Sequence, residues 1–323
     1  MPSFEVSMVM TGHEMVLNRQ GVPCFLGSQP AATLQDLDGA DVAILGVPFV
    51  SPLIGYENDV APRKVRIAGL AYSGSYLPDL DIDPAETLRI LDYGDIEFPF
   101  GDTAAAMSTV ETVVGQVMHA GCLPVTIGGN APASSYSVIK AITERASGTI
   151  GVISFDGHTD TMADYGDEPN SSNWVRASYL SLDKLSPTNH VQIGMRGMLN
   201  RRADMAFYRE RRMRLIMSRD VREMTPRQLA GEAVSTATAG ADKIWLAVDL
   251  DALDFCHLPE WDWPDPYGIE PAHILETAYA AGKSGKLCGV SLMMIGGVIP
   301  SALRVANWIV LYALAGYAES KQA

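Results

Sequence analysis

Cysteine is scarce. Cys24, Cys122, Cys256 and Cys288 are the only four, they lie far apart, and they form neither a CxxC pair nor a short framework. Disulfides are therefore not expected, and a reducing cytosol is the expected compartment. Positive charge is also thin: 24 Lys and Arg stand against 38 Asp and Glu, a formal net charge of -14. That balance argues against a nucleic-acid or acidic-membrane partner and favours a cationic ligand such as a guanidinium compound. An acid surplus that only keeps a large assembly soluble explains the charge equally well. No apolar run reaches membrane-spanning length, since VANWIVLYALAGYA near the C-terminus is too short. The first residues, MPSFEVSMVMTGHEMVLNR, lack the basic start and continuous apolar stretch of a signal peptide. No repeat, low-complexity tract or linker interrupts residues 40–320.

What the chain has is apolar residues, 47% of the total, enough for one large core. Short runs rich in β-branched residues alternate with helix-length segments, the sign of repeated βαβ units and a mostly parallel sheet. Eight strands are predicted, at 41–49, 88–95, 122–129, 149–156, 190–197, 214–218, 243–251 and 286–294. Between them, Thr225 with Pro226 and later Pro271 mark helix starts, and further helices are predicted from Thr103 to Ala120 and from Pro300 to Glu319. A single doubly wound α/β domain over 41–323 is the simplest organisation, with residues 1–40 as an extension packed on that domain or on a neighbour. In open parallel sheets the ligand crevice lies beyond the carboxyl ends of the strands, so chemistry is expected there.

Two segments at predicted strand ends carry that chemistry. Phe155-Asp156-Gly157-His158-Thr159-Asp160 follows an apolar strand, and alternate residues of an extended segment would turn Asp156, His158 and Asp160 to one side. Val248-Asp249-Leu250-Asp251-Ala252-Leu253-Asp254 follows another and would aim Asp249 and Asp251 into the same crevice. Four carboxylates and one imidazole form a mixed oxygen and nitrogen site suited to manganese, nickel, iron or zinc. The bland alternative is carboxylates hydrogen-bonded to backbone without a tightly held ion. Either outcome stays open on the residues alone. The histidines at 13, 119, 190, 257 and 273 have no partner at ligand spacing and are expected on the surface or at caps. Trp261 and Trp263, in LPEWDWPDPYG, suit either substrate stacking or an interface.

SFDGHTDTMADYGD resembles the DAHxD signature of the ureohydrolase superfamily, VDLDALD its SxDxDxxDP signature, and VTIGGN its GGDHS segment. GVPFVS, VAPRKVR, LDYGD and GVSLMMIGG extend the likeness across roughly residues 20–320. The resemblance implies a three-layer α/β/α fold with a central eight-stranded parallel sheet and two adjacent metals that activate water against a guanidinium carbon. It assigns ligand positions to Asp156, His158, Asp160, Asp249 and Asp251. It also exposes losses. Asn130-Ala131 stands where the family has Asp-His, so Ala131 replaces a ligand imidazole. Ser291 and Met294 occupy the acidic positions of GxDxxEV, Val50 replaces the acid after GVPF, and no histidine occurs between His158 and His190 to shuttle protons.

The resemblance therefore implies a non-catalytic or weakly catalytic chain holding no metal or one divalent ion, nickel or manganese, with no catalytic residue of its own assigned. A partner is implied: a catalytic ureohydrolase paralogue with two metals, in a trimer- or hexamer-based hetero-oligomer acting on a cationic guanidine or biguanide. The alternative is a stand-alone C–N hydrolase with an altered one-metal site and Asp164 or Asp167 as base.

Overall fold

The computed structural model describes residues 15–51, 58–72, 74–164, 166–259, 264–296 and 299–322. The elements run β1 (Gln29–Pro30), β2 (Val42–Val47), α1 (Ala61–Gly69), α2 (Pro84–Thr87), β3 (Ile90–Asp95), α3 (Thr103–His119), β4 (Leu123–Gly128) and α4 (Tyr136–Arg145). They continue through β5 (Ile150–Phe155), α5 (Trp174–Ser181), β6 (Leu185–Ile193), α6 (Arg202–Glu210), β7 (Arg214–Ile216), α7 (Ser218–Val221) and α8 (Pro226–Thr238). β8 (Lys243–Asp249), α9 (Pro271–Lys283), β9 (Leu287–Met293) and α10 (Pro300–Gln322) complete the order.

All strand pairs are parallel, and the sheet order among the described residues is β1-β3-β2-β4-β9-β8-β5-β6-β7. Eight strands fall where the β-branched runs predict them. The ninth, β1, is two residues at the sheet edge, beside β3. Its Gln-Pro sequence carries no strand signal, because Pro cannot donate to a ladder and is tolerated only at such an edge.

The central strands are buried on both faces, which is why they read as continuous apolar runs. On β2, Val42 and Ile44 join a core formed with α1, α8, α9 and α10, while Ala43, Leu45 and Val47 join the opposite core with α3, α4 and α5. The three layers follow from this two-residue alternation. The helix starts are set by local chemistry: Thr225 and Gln228 form a capping box ahead of Pro226, and the Asp102 side chain accepts from Ala105 N–H at 2.9 Å. The last helix runs to Gln322, three residues beyond the sequence expectation. No helix among the described residues is long and apolar enough to cross a membrane.

Candidate metal centre

Strands β5 and β8 are neighbours, and each ends in one of the two acidic segments. β5 stops at Phe155, so Asp156, His158 and Asp160 do not sit on an extended strand as the alternation predicts. Asp160 adopts φ +48°, a left-handed conformation uncommon outside glycine, and its carbonyl accepts the N–H groups of Val175 and Arg176 at the start of α5. β8 gives way after Asp249 to a single 3-10 turn at Leu250–Ala252, with Asp249 Oδ1 accepting Asp251 N–H at 2.9 Å. Turns, rather than strand alternation, therefore bring these residues together.

His158 Nδ1 lies 2.8 Å from Asp251 Oδ2 and 3.7 Å from Asp156 Oδ1. Gly157 N–H donates to Asp251 Oδ1 at 2.9 Å, and His158 N–H donates to Asp156 Oδ1 at 2.6 Å. One ligand atom from each of Asp156, His158 and Asp251 lies within 4.8 Å of the others. Asp249 and Asp160 lie on the same two segments but outside that three-residue group. Asp254, the last acid of VDLDALD, is committed to structure, since its carboxylate accepts Cys256 N–H at 3.1 Å and Gly268 N–H at 2.8 Å.

The charges there are unbalanced. Burial, reinforced by Asp160, Asp251 and Asp249, pushes the Asp156 carboxyl well above the usual range, and burial with Asp251 does the same to Asp249. Asp160 is raised to about 7, burial outweighing the opposing pull of His158. Asp251 moves the other way: burial penalises its charge, but His158 and Gly157 N–H hold the ionised form. His158 is pushed up to about 9, the nearby Asp251 and Asp160 overcoming a burial effect that alone would lower it. Asp156 Oδ2 is buried without a hydrogen-bond partner among the described residues. An orphaned carboxylate oxygen beside an imidazole and a second carboxylate fits one divalent cation of the borderline class.

The positions at which the resemblance expects further ligands and acids are packed into the fold. Ala131 is 5% exposed and belongs to the apolar core on the α3 and α4 face. The turn before it is tight: a Cβ added at Gly129 would lie 1.9 Å from the Phe49 carbonyl oxygen. Asn130 is fully buried, with its N–H donating to that same carbonyl at 2.9 Å. Ser291 is also fully buried and accepts hydrogen bonds from Trp245 and Thr126. Met294, at φ +51°, lies in the opposite apolar core with Asn58 Nδ2 3.9 Å from its sulfur.

Asp164 is ion-paired with Arg201, and Asp167 with Arg176 at 3.3 Å, both carboxylates being largely exposed. The histidine reading changes. His190 is not a surface or cap residue: it is fully buried on β6, with Nε2 2.7 Å from Ser154 Oγ and Nδ1 2.9 Å from Tyr179 Oη. His273 is buried too, 3.1 Å from the Met224 carbonyl, whereas His119 is exposed at the end of α3. His13, Trp261 and Trp263 lie outside the described residues. Sequence reasoning missed Arg196 and Gln192, which grip the ligand-bearing loops through their carbonyls. Gln192 Nε2 donates to the His158 carbonyl at 3.2 Å.

Residues 40–295 match the arginase family. The agmatinase of Bacillus subtilis is 27% identical over 290 residues, covering 88% of this chain and 91% of that one. The crystal structure of formimidoylglutamase from Bacillus subtilis superposes with a TM-score of 0.78 at 26% identity, covering 88% of this chain and 89% of that one. A Trypanosoma cruzi formiminoglutamase structure with manganese shares the fold, with a TM-score of 0.77 at 21% identity over 92% of this chain and 99% of that one.

Proposed function

The chain belongs to the arginase family, and from that premise we propose that it is a degenerate member, a non-catalytic or weakly catalytic subunit of a heteromeric ureohydrolase. Its relatives include hydrolases of guanidino and amidino compounds. One observation carries the reading. The ligand group Asp156, His158 and Asp251 remains assembled around an orphaned oxygen, while Ala131 and Met294 are absorbed into apolar cores.

In this reading Asp156, His158 and Asp251, with Asp249 alongside, hold one divalent ion, nickel or manganese, and the position that would need an imidazole at 131 stays short of a ligand. A bound divalent ion of this class supplies Lewis acidity and lowers the pKa of water. The chain's own residues do the rest: Asp251 orients the His158 ring through Nδ1, and Gly157 N–H holds Asp251 in place. Met294 provides no carboxylate to pair with a guanidinium, so a cationic substrate is bound and turned over by the partner. That partner is a paralogue with both metals and the full ligand set, in a trimer- or hexamer-based assembly acting on a guanidine or biguanide. The resemblance points to metformin hydrolase, releasing an amine and a urea product.

The alternative of a stand-alone one-metal hydrolase would need Asp164 or Asp167 as base, and both are largely exposed and ion-paired with arginines. Co-expression with such a paralogue, followed by size-exclusion chromatography and a metformin and agmatine hydrolysis assay, tests the proposal. Co-elution with higher activity of the pair is expected. Separate elution, with the paralogue equally soluble and active alone, would refute it.

A further inference from the structure

Arg196 stands just beyond β6 and reaches into the space between the two ligand-bearing turns. Its guanidinium donates to the carbonyls of Asp251 at 2.9 Å, Leu253 at 2.8 Å and Ala252 at 3.2 Å, which together form the turn that follows β8. Nε and Nη2 also reach the Asp265 carbonyl at 3.2 and 2.8 Å, and Nη1 reaches Gly194 O at 3.4 Å. Its backbone N–H donates to the Gly157 carbonyl at 3.1 Å, in the turn that follows β5. The approach is so close that a Cβ added at Gly157 would lie 2.8 Å from Nη1 and 3.2 Å from the Asp251 carbonyl. A side chain there would have to displace the guanidinium.

Such a set of acceptors uses the planar fork of a guanidinium. An ammonium on a flexible stem cannot meet carbonyls arrayed on several sides at once. The positive charge is a separate matter, since Arg196 also faces the carboxylates of Asp251, Asp265, Asp254 and Asp156. Geometry and charge make different demands on a replacement residue, and so they can be told apart.

We infer that Arg196 is a positioning residue: it brackets the Gly157–His158 turn, the Asp251–Leu253 turn and the Asp265 segment into one unit and so sets the 2.8 Å approach of His158 to Asp251. The inference rests on the one-metal reading above only for its effect on metal affinity, not for the bracket itself. Because the Asp265 segment is joined to the same guanidinium, and Ile269 N–H donates to the Ala252 carbonyl at 3.1 Å, order in 264–269 follows order at the ligand turns.

The test uses full-length native, Arg196→Lys and Arg196→Met chains stripped of metal with a chelator. Amide hydrogen exchange is followed without metal, and nickel and manganese are then titrated by calorimetry. Both variants are expected to speed exchange at Gly157, Asp251 and Ile269 while β2 and α10 stay as protected as in the native chain. Metal affinity is expected to fall about 10- to 100-fold, with lysine no better than methionine. Unchanged exchange at those amides in both variants would overturn the inference, as would protection lost throughout the fold. Rescue of both readouts by lysine would also overturn it, because charge alone would then account for the effect. If the native chain itself takes up neither metal, the one-metal reading fails, and the exchange measurements alone decide the role of Arg196.

Discussion

Trp245 Nε1 donates to Ser291 Oγ at 3.1 Å, and Thr126 Oγ1 donates to the same oxygen at 3.0 Å. The Ser291 hydroxyl, at a position where the resemblance expects an acid, thus satisfies two buried donors from the strands on either side of β9. Ser291→Ala would leave Trp245 Nε1 without its acceptor, and a buried donor without a partner costs about 1–3 kcal/mol. Urea denaturation is expected to show a loss of that size with an unchanged slope. A change under about 0.5 kcal/mol would mean that the hydroxyl contributes nothing there.

Arg66 and Asp92 are both excluded from solvent and joined by two bonds, Nε to Oδ2 at 2.8 Å and Nη2 to Oδ1 at 2.9 Å. Phe25 N–H and Gly94 N–H fill the remaining lone pairs of Asp92, and Asp95 takes Arg66 Nη1 at 2.6 Å. Breaking one side strands a buried charge, so Asp92→Asn should cost about 3–5 kcal/mol. The paired replacement Arg66→Met with Asp92→Leu removes both charges but strands the Phe25 and Gly94 N–H groups and the Asp95 carboxylate, so it should cost at least as much as Asp92→Asn alone. Chemical denaturation of the single and double variants checks the order.

The sheet was legible because a parallel sheet buries both faces, and runs such as VAILGV and IGVISF show that on their face. The edge pair Gln29–Pro30 was not, since its strand character comes only from its neighbour β3. Asp156, His158 and Asp251 were legible as residue types in a known pattern, but the reason for their approach was not. Strand alternation was the wrong cause: β5 ends at Phe155 beside β8, and the turns that follow these two neighbouring strands bring the residues together. His190 and Arg196 were hidden for a shared reason. Their partners come from other segments, as with Tyr179 for one and Asp265 for the other, and no local period announces such contacts.

His190 gives a pH signature. Burial pushes its imidazole down to about 4, from the ordinary value of 6.5. As pH falls below 6.5, the unfolded chain takes up a proton at His190 while the folded chain stays neutral until about 4. The folded state therefore loses stability across that window, by up to about 3 kcal/mol, and gains nothing from this residue below it. Unfolding free energies of native and His190→Gln chains at pH 7 and near pH 4 isolate the effect, because the raised carboxylates are common to both. The native chain should lose about 2–3 kcal/mol relative to the variant on acidification. A pH-independent difference would mean that folded His190 titrates like a free imidazole.

Ala131 separates metal binding from turnover. With a methyl group at that position, the purified native chain should hold well under two metal ions per subunit by elemental analysis after growth with added nickel or manganese. Ala131→His supplies one imidazole where the family resemblance assigns a ligand, and should raise the metal content. It should restore little hydrolysis of agmatine or metformin, because Met294 still offers no carboxylate and no histidine lies between His158 and His190 to carry protons. The replaced side chain sits in an apolar core, so a thermal melt must show that the variant remains folded before its metal content is compared. Two stoichiometric ions in the native chain would overturn the degenerate-site reading, and steady hydrolysis by it that Asp249→Ala abolishes would show a working active site. Metal gained by Ala131→His without turnover is the outcome expected of a site whose ligands and substrate partners were lost separately.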